Sequence, residues 1–83
     1  HERWDGKGYP RGIQGNRIPL LARIIAIAEV YDRVLTDAEG DEHQRTQKAR
    51  TVIHEGAGTQ FDPDLASLFL ALLEQEQSNS HNV

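Results

Sequence analysis

The chain has no cysteine and no methionine, one tryptophan, two tyrosines and two phenylalanines in 83 residues. Without cysteine there is no disulfide and no thiolate metal site, and nothing points to an oxidising compartment. Without methionine there is no initiator, so a segment of a longer protein is expected. Long apolar runs are also missing: none approaches the roughly 20 residues that a membrane span needs. No targeting segment is visible, and a cytoplasmic location is expected. Positive charge is scarce. Nine Lys and Arg against thirteen Asp and Glu give a net charge of −4, which disfavours binding to a nucleic-acid polymer. It does not forbid a small anionic substrate, because bound divalent metals invert the local sign that carboxylates set. With few aromatics and a mean hydropathy of −0.62, any core has to come from Leu, Ile and Val faces. The chain stands near the lower size limit for a self-sufficient domain.

What is present is punctuation first and helix afterwards. Residues 5–19 carry Gly6, Gly8, Gly12 and Gly15 with Pro10 and Pro19, a density that excludes a regular helix and predicts a long structured loop. Trp4, Tyr9, Ile13 and Ile18 give it apolar anchors. From about 20 to 35 the pattern is helical, with Pro19 as a first-turn residue. Leu20, Leu21, Ile24, Ile25, Ile27, Val30, Tyr31, Val34 and Leu35 make this helix apolar on nearly every side, the pattern of a helix buried among other elements. Residues 36–45 read as a solvated connector. A second helix is predicted over 46–55, with Ala49, Val52 and Ile53 as a narrow apolar stripe. A third is predicted over 63–74, started by an Asp62 cap and Pro63 and carrying Leu65, Leu68, Phe69, Leu72 and Leu73 at helical spacing. The tail 75–83 is expected to fray. No strand and no repeat is evident. The fold expected for 1–74 is all-α: a partial bundle of about three helices behind a Gly-rich loop.

The first ten residues, His1-Glu2-Arg3-Trp4-Asp5-Gly6-Lys7-Gly8-Tyr9-Pro10, carry the most chemistry. A neutral imidazole at His1 suits divalent iron, manganese or zinc, although a lone terminal histidine is more often no ligand. Glu2 is either an acid that steadies such a ligand or a surface charge. Asp5 to Pro10 bring a carboxylate, an ammonium, a phenol and accessible amides into one loop, where glycine permits close approach of a ligand and successive N–H groups can cradle an anion. Trp4 and Tyr9 read as packing anchors before base-stacking platforms. Farther on, Glu29 and Asp32 lie three apart, on one face of a helix, amid Ile27, Ala28, Val30 and Tyr31. Carboxylates rarely enter such surroundings without a partner or a metal. The plain alternative is a polar stripe shared with Arg23 and Arg33, Glu29 pairing with Arg33 at i,i+4. His43, His54 and His81 have no ligand-like spacing and read as surface residues.

These motifs resemble the HD-GYP family, bacterial metal-dependent phosphodiesterases of cyclic di-GMP. Its motif HHExxDGxGYP is matched from the second histidine onward by residues 1–10. Ile18-Pro19-Leu20-Leu21-Ala22-Arg23-Ile24 resembles the family's IPLxARI, Ala28-Glu29-Val30-Tyr31-Asp32 its ADxxDAL, and Gly56-Ala57-Gly58-Thr59-Gln60-Phe61-Asp62-Pro63 its GxGTQFDP, a turn explained by structure alone. The resemblance covers residues 1 to about 72 and implies half of an HD-type helical domain with a bi- or trinuclear divalent metal centre of iron, manganese or a similar ion. It makes His1 and Glu29 metal ligands. It makes Asp5 and Lys7 catalytic support, and Gly6, Gly8, Tyr9 and Pro10 the substrate-side loop. The implied substrate is cyclic di-GMP, and diguanylate cyclase domains are an implied partner of the GYP loop.

Two departures bear on activity. Glu29 stands where the family has aspartate, and its extra methylene moves the oxygens outward. Ala38 and Asp41 stand where TSDRPYR carries arginines expected to meet the substrate phosphates; an acid there repels what arginine would bind, unless Arg45 or Lys48 compensates. The first reading is thus a fragment of a cyclic di-GMP phosphodiesterase, the output part of a bacterial signalling protein of the response-regulator kind, inactive and without bound metal in isolation. The alternative is a degenerate module that docks a partner through the GYP loop. The apolar first helix predicts self-association of the isolated chain.

Overall fold

The computed structural model describes residues 2–9 and 11–81, with side chains through 76. A loop over residues 2–19, interrupted by one 3-10 turn at Gly15–Arg17, leads into three helices: α1 (Leu20–Asp37), α2 (Glu42–Gly56) and α3 (Pro63–His81). The architecture is all-α. No strand occurs among the described residues, only an isolated bridge between Ala57 and Phe61.

Each helix boundary has a local cause. Pro19 stands one position before α1, in extended geometry, and its carbonyl accepts the Arg23 N–H at 3.1 Å. Helix α2 begins at Glu42, four residues earlier than the apolar stripe from Thr46 suggests, because Asp41 and Gln44 form a reciprocal capping box. The Gln44 N–H donates to Asp41 Oδ1 at 2.8 Å, and the Asp41 N–H donates to Gln44 Oε1 at 2.9 Å. The acidic connector thus supplies the first turn of a helix. Helix α2 stops at Gly56, where a Cβ would stand 2.6 Å from a Phe61 ring carbon, so only glycine admits that ring. Asp62 caps α3, accepting from the Asp64 and Leu65 amides at 2.8 and 3.2 Å. Helix α3 then continues past Glu74, where the apolar spacing ends, to His81. No glycine or proline interrupts it.

The core is small. Ile27 of α1, Ile53 of α2, Phe61 of the turn and Ala66 of α3 are buried together, flanked by Ala26, Val30, Tyr31, Leu65, Phe69 and Leu70. The Tyr31 and Phe69 rings meet edge to face at 5.2 Å and 71°, a favoured aromatic geometry. Ile27 is the one residue of α1 that is fully buried. Leu20, Leu21, Ile24 and Ile25 face outward, as do Leu68 and Leu72 on α3. The apolar circumference of α1 is therefore not covered by this chain. Leu68 and Leu72, expected on the packed face, are each 55% exposed.

Candidate functional site

The loop owes its shape to polar contacts. Glu2 folds it back on itself: the Arg11 N–H donates to Oε1 at 2.7 Å and the Ile13 N–H to Oε2 at 3.1 Å. Both carboxylate oxygens are thereby used on backbone nine and eleven residues away. The side chain is thus a clamp on the loop. The loop backbone is also tied to the turn after α2. Trp4 N–H donates to Gln60 O at 3.2 Å, Asp5 N–H to Thr59 O at 2.8 Å, and Gly15 N–H to Trp4 O at 3.0 Å. The GxGTQFDP turn is thus the platform on which the HERWDG segment rests.

Within the loop, Gly6 has φ +81°, and a Cβ there would press on Gln14 at 3.3 Å and on the Gly12 carbonyl. Glycine is required on both counts. Asp5 accepts the Lys7 N–H at 3.0 Å and the Arg3 guanidinium at 3.0 Å. Partial burial would raise its pKa, but the Lys7 amide and the positive charge and hydrogen bond of Arg3 outweigh that and hold the carboxyl below the ordinary value. Tyr9 is 74% exposed, so it is not the packing anchor expected of it. Trp4 is half-buried.

Arg23 fastens the far end of the loop. Its Nε donates to Ile18 O at 3.0 Å, and Nη1 reaches Asn16 Oδ1 at 3.3 Å and Asp62 Oδ2 at 2.6 Å. This ion pair joins the IPLxARI segment to the Asp-Pro cap across 39 residues. Burial pushes the Asp62 carboxyl upward, yet the Arg23 hydrogen bond, the Leu65 and Asp64 amides and the Arg23 charge hold it below the usual range. No local spacing announces such a pair, and sequence reasoning missed it. It also missed Arg3 and Gln60 as site residues.

One cavity of about 200 Å³ lies between the loop and α1. Glu2, Arg3 and Tyr9 come from the loop, Glu29 and Arg33 from α1, and Gln60 from the turn, over a floor of Ala26 and Val30. Of the residues expected at the site, Glu2, Tyr9 and Glu29 are brought together here. Asp5 and Lys7 do not line this cavity, and Asp32 is exposed away from it. His1 and Pro10 lie outside the described residues. Arg45 and Lys48 line two other cavities, one with Tyr31 and Thr36, one with Ala38 and Gly40.

The donor set bears directly on metal binding. No group of three or more His, Asp or Glu is placed to hold an ion among the described residues. Glu2 and Glu29 both line the cavity, fewer protein donors than the three of a catalytic zinc site. The described residues do not by themselves form a metal centre. Nor is any helix among them long and apolar enough to cross a membrane.

Comparison with known proteins places these features in a family. A family model described as HD domain matches residues 1–65. The chain is 43% identical over 70 residues to a probable cyclic di-GMP phosphodiesterase of Vibrio cholerae serotype O1, an overlap of 84% of this chain and 16% of that protein. It is 41% identical over 78 residues to the cyclic di-GMP phosphodiesterase response regulator RpfG of Xanthomonas campestris pv. campestris, covering 90% of this chain and 21% of the relative. Over 38 residues it is 63% identical to the 3'3'-cGAMP-specific phosphodiesterase 1 of Vibrio cholerae, 46% of this chain and 9% of that one. The chain thus spans a quarter or less of the length of these relatives.

Proposed function

The chain belongs to the HD domain family, and we propose that it forms the loop-bearing half of an HD-GYP domain whose parent protein hydrolyses a phosphodiester bond of cyclic di-GMP. The observation that carries this reading is the single cavity in which the GYP loop (Glu2, Arg3, Tyr9) meets Glu29 of α1. It is supported by relatives whose names specify hydrolysis of cyclic dinucleotides. In this reading His1 and Glu29 are the ligands this chain contributes to a divalent ion, and the remaining donors come from outside it. Glu2 holds the loop closed by its two amide contacts. Asp5 keeps the Arg3–Lys7 turn in shape as an ionised acceptor, and Lys7, Gly6, Gly8, Tyr9 and Pro10 form the substrate-side lip. In this reading the isolated chain is inactive, because the remaining donors come from outside it.

Metal analysis and a cyclic di-GMP hydrolysis assay on the full-length protein test this. Bound divalent metal with release of a linear dinucleotide is expected, and Glu29→Ala should abolish both. A full-length protein with neither metal nor turnover discards the enzyme reading.

A second reading, a non-catalytic module that docks a diguanylate cyclase domain, is favoured by the exposure of Tyr9 and by Ala38 and Asp41 in place of arginines. It predicts that Tyr9→Ala abolishes binding to such a domain in a protein that shows no turnover.

A further inference from the structure

The cavity between the loop and α1 is lined by two arginines, Arg3 and Arg33, and by two acids, Glu2 and Glu29. Arg3 donates Nη2 to Asp5, while its Nε is buried without a hydrogen-bond partner. A buried cationic N–H without an acceptor is costly. Glu2 lines the same space, but both oxygens already receive backbone N–H groups. Arg33 is exposed, one helical turn beyond Glu29, and makes no hydrogen bond or ion pair with a described residue. It occupies the position where the ADxxDAL pattern reads alanine. Tyr9 and Gln60 add neutral polar groups.

We infer that this cavity is a phosphodiester subsite in which Arg33, together with Arg3, supplies the cationic wall. The inference rests on the cyclic-dinucleotide reading above and adds which cations of this chain meet the anion. A space of about 200 Å³ is below the 300–1,000 Å³ or so of whole-ligand pockets; it suits one phosphodiester group and not a complete dinucleotide. Guanidinium forks match two phosphate oxygens at once. Arg33 makes no ion pair with a described residue and can turn to the anion directly, whereas Arg3 lines the cavity while already paired with Asp5. Arg45 and Lys48 cannot take this role, since each faces a different cavity.

The test separates the subsite from the catalytic reading. The full chain, labelled with nitrogen-15, is titrated with dimethyl phosphate, a diester monoanion without base or ribose, and the arginine Nε–H resonances are followed. Saturable shifts are expected at Arg3 and Arg33 and none at Arg45. Arg33→Ala should weaken binding about tenfold, the scale of one charge-assisted hydrogen bond, and Arg33→Lys should restore part of it. In the full-length protein Arg33→Ala should raise KM for cyclic di-GMP about tenfold with kcat within about twofold, while Arg45→Ala and Lys48→Ala leave KM unchanged. Circular dichroism of each variant verifies folding, which an exposed side chain should not disturb. Shifts spread equally over all arginines, or none at Arg33, overturn the subsite even if the protein turns over cyclic di-GMP. Saturable shifts at Arg3 and Arg33 without any turnover keep the subsite and remove the catalytic reading.

Discussion

Between Glu2 and Ile18 the chain is held by carboxylates and main-chain hydrogen bonds, whereas behind it the helices are held by a few buried apolar side chains. Among the described residues the loop contributes one buried residue, Ile18, but is fixed at its start by Glu2, by the contacts of Trp4 and Asp5 with the 59–60 turn, and at its end by Arg23. The helices converge on Ile27, Ile53, Phe61 and Ala66. The two regions meet at Phe61 and Asp62: one fills the core, and the other anchors the ion pair that fastens the loop. Hydrogen bonds impose geometry at modest net stability, and apolar burial supplies stability with less directional control. A substrate-side loop needs geometry, and a small core needs every buried methylene.

Substitutions at the junction should break this division hardest. Phe61→Ala removes the largest side chain common to both regions and should cost about 3–5 kcal/mol, read as the drop in unfolding free energy in urea. Loop and helices should then unfold in one transition; two resolved transitions would show that the loop is anchored independently of the core.

Next in size is Asp62→Ala. It removes the α3 cap, worth about 0.5–2 kcal/mol, and strands Arg23, so a total near 2–3 kcal/mol is expected once the partial exposure of Arg23 is discounted. The same carboxyl sets a pH dependence. Its folded pKa lies below the ordinary 3.8, so its contribution is complete above that value and is lost as pH falls through the lowered folded pKa. Acid titration of stability should therefore be steeper in the native chain than in Asp62→Ala; equal slopes would place the titrating group elsewhere.

Glu2→Ala sharpens the comparison from the loop side. Global stability should fall by only about 1 kcal/mol, while amide exchange at Arg11 and Ile13 should accelerate well beyond that of the α2 amides, as local opening requires. Uniform acceleration would mean that the clamp is part of the core. Asp41→Ala should cost about 1 kcal/mol through loss of the capping box, with unravelling confined to residues 42–45.

The smallest effect on the monomer is expected at the outer face of α1. Leu21 and Ile25 are 67% and 42% exposed, and replacing both with lysine should leave urea stability within about 0.5 kcal/mol. We propose that this face, continuous in character with Leu68 and Leu72, drives self-association of the isolated chain. Light scattering should show association in the native chain and a monomer in the double variant. A native chain that is monomeric at high concentration removes that proposal.

The fold was largely legible because its signals are local. Asp62-Pro63, Gly56 and the spacing of Ala49, Val52 and Ile53 each act within a few residues, and the structure uses them at those positions. The start of α2 was misplaced because apolar periodicity begins at Thr46, while the capping box that sets the start is polar. The sides of α1 and α3 were not legible. Leu20, Leu21, Ile24, Ile25, Leu68 and Leu72 are as apolar as Ile27 and Ile53, and periodicity does not say which apolar face a neighbour will cover. At the site, the loop and Glu29 stood out by residue type, but Asp5 and Lys7 stood out equally and lie off the cavity.

Composition and spacing alone determined that this chain is helical, begins with a rigidly punctuated loop, and carries the HERWDGKGYP segment of its family. Those properties follow from backbone preferences and short-range side-chain contacts. Tertiary structure alone decided that Glu2 clamps Arg11 and Ile13, that Arg23 reaches Asp62, and that Arg3 and Arg33 share one cavity with Glu29 while Arg45 and Lys48 do not. Those outcomes depend on how α1 packs against α2 and the 57–61 turn. Groups far apart in sequence acquire a definite distance only when buried side chains fix that packing.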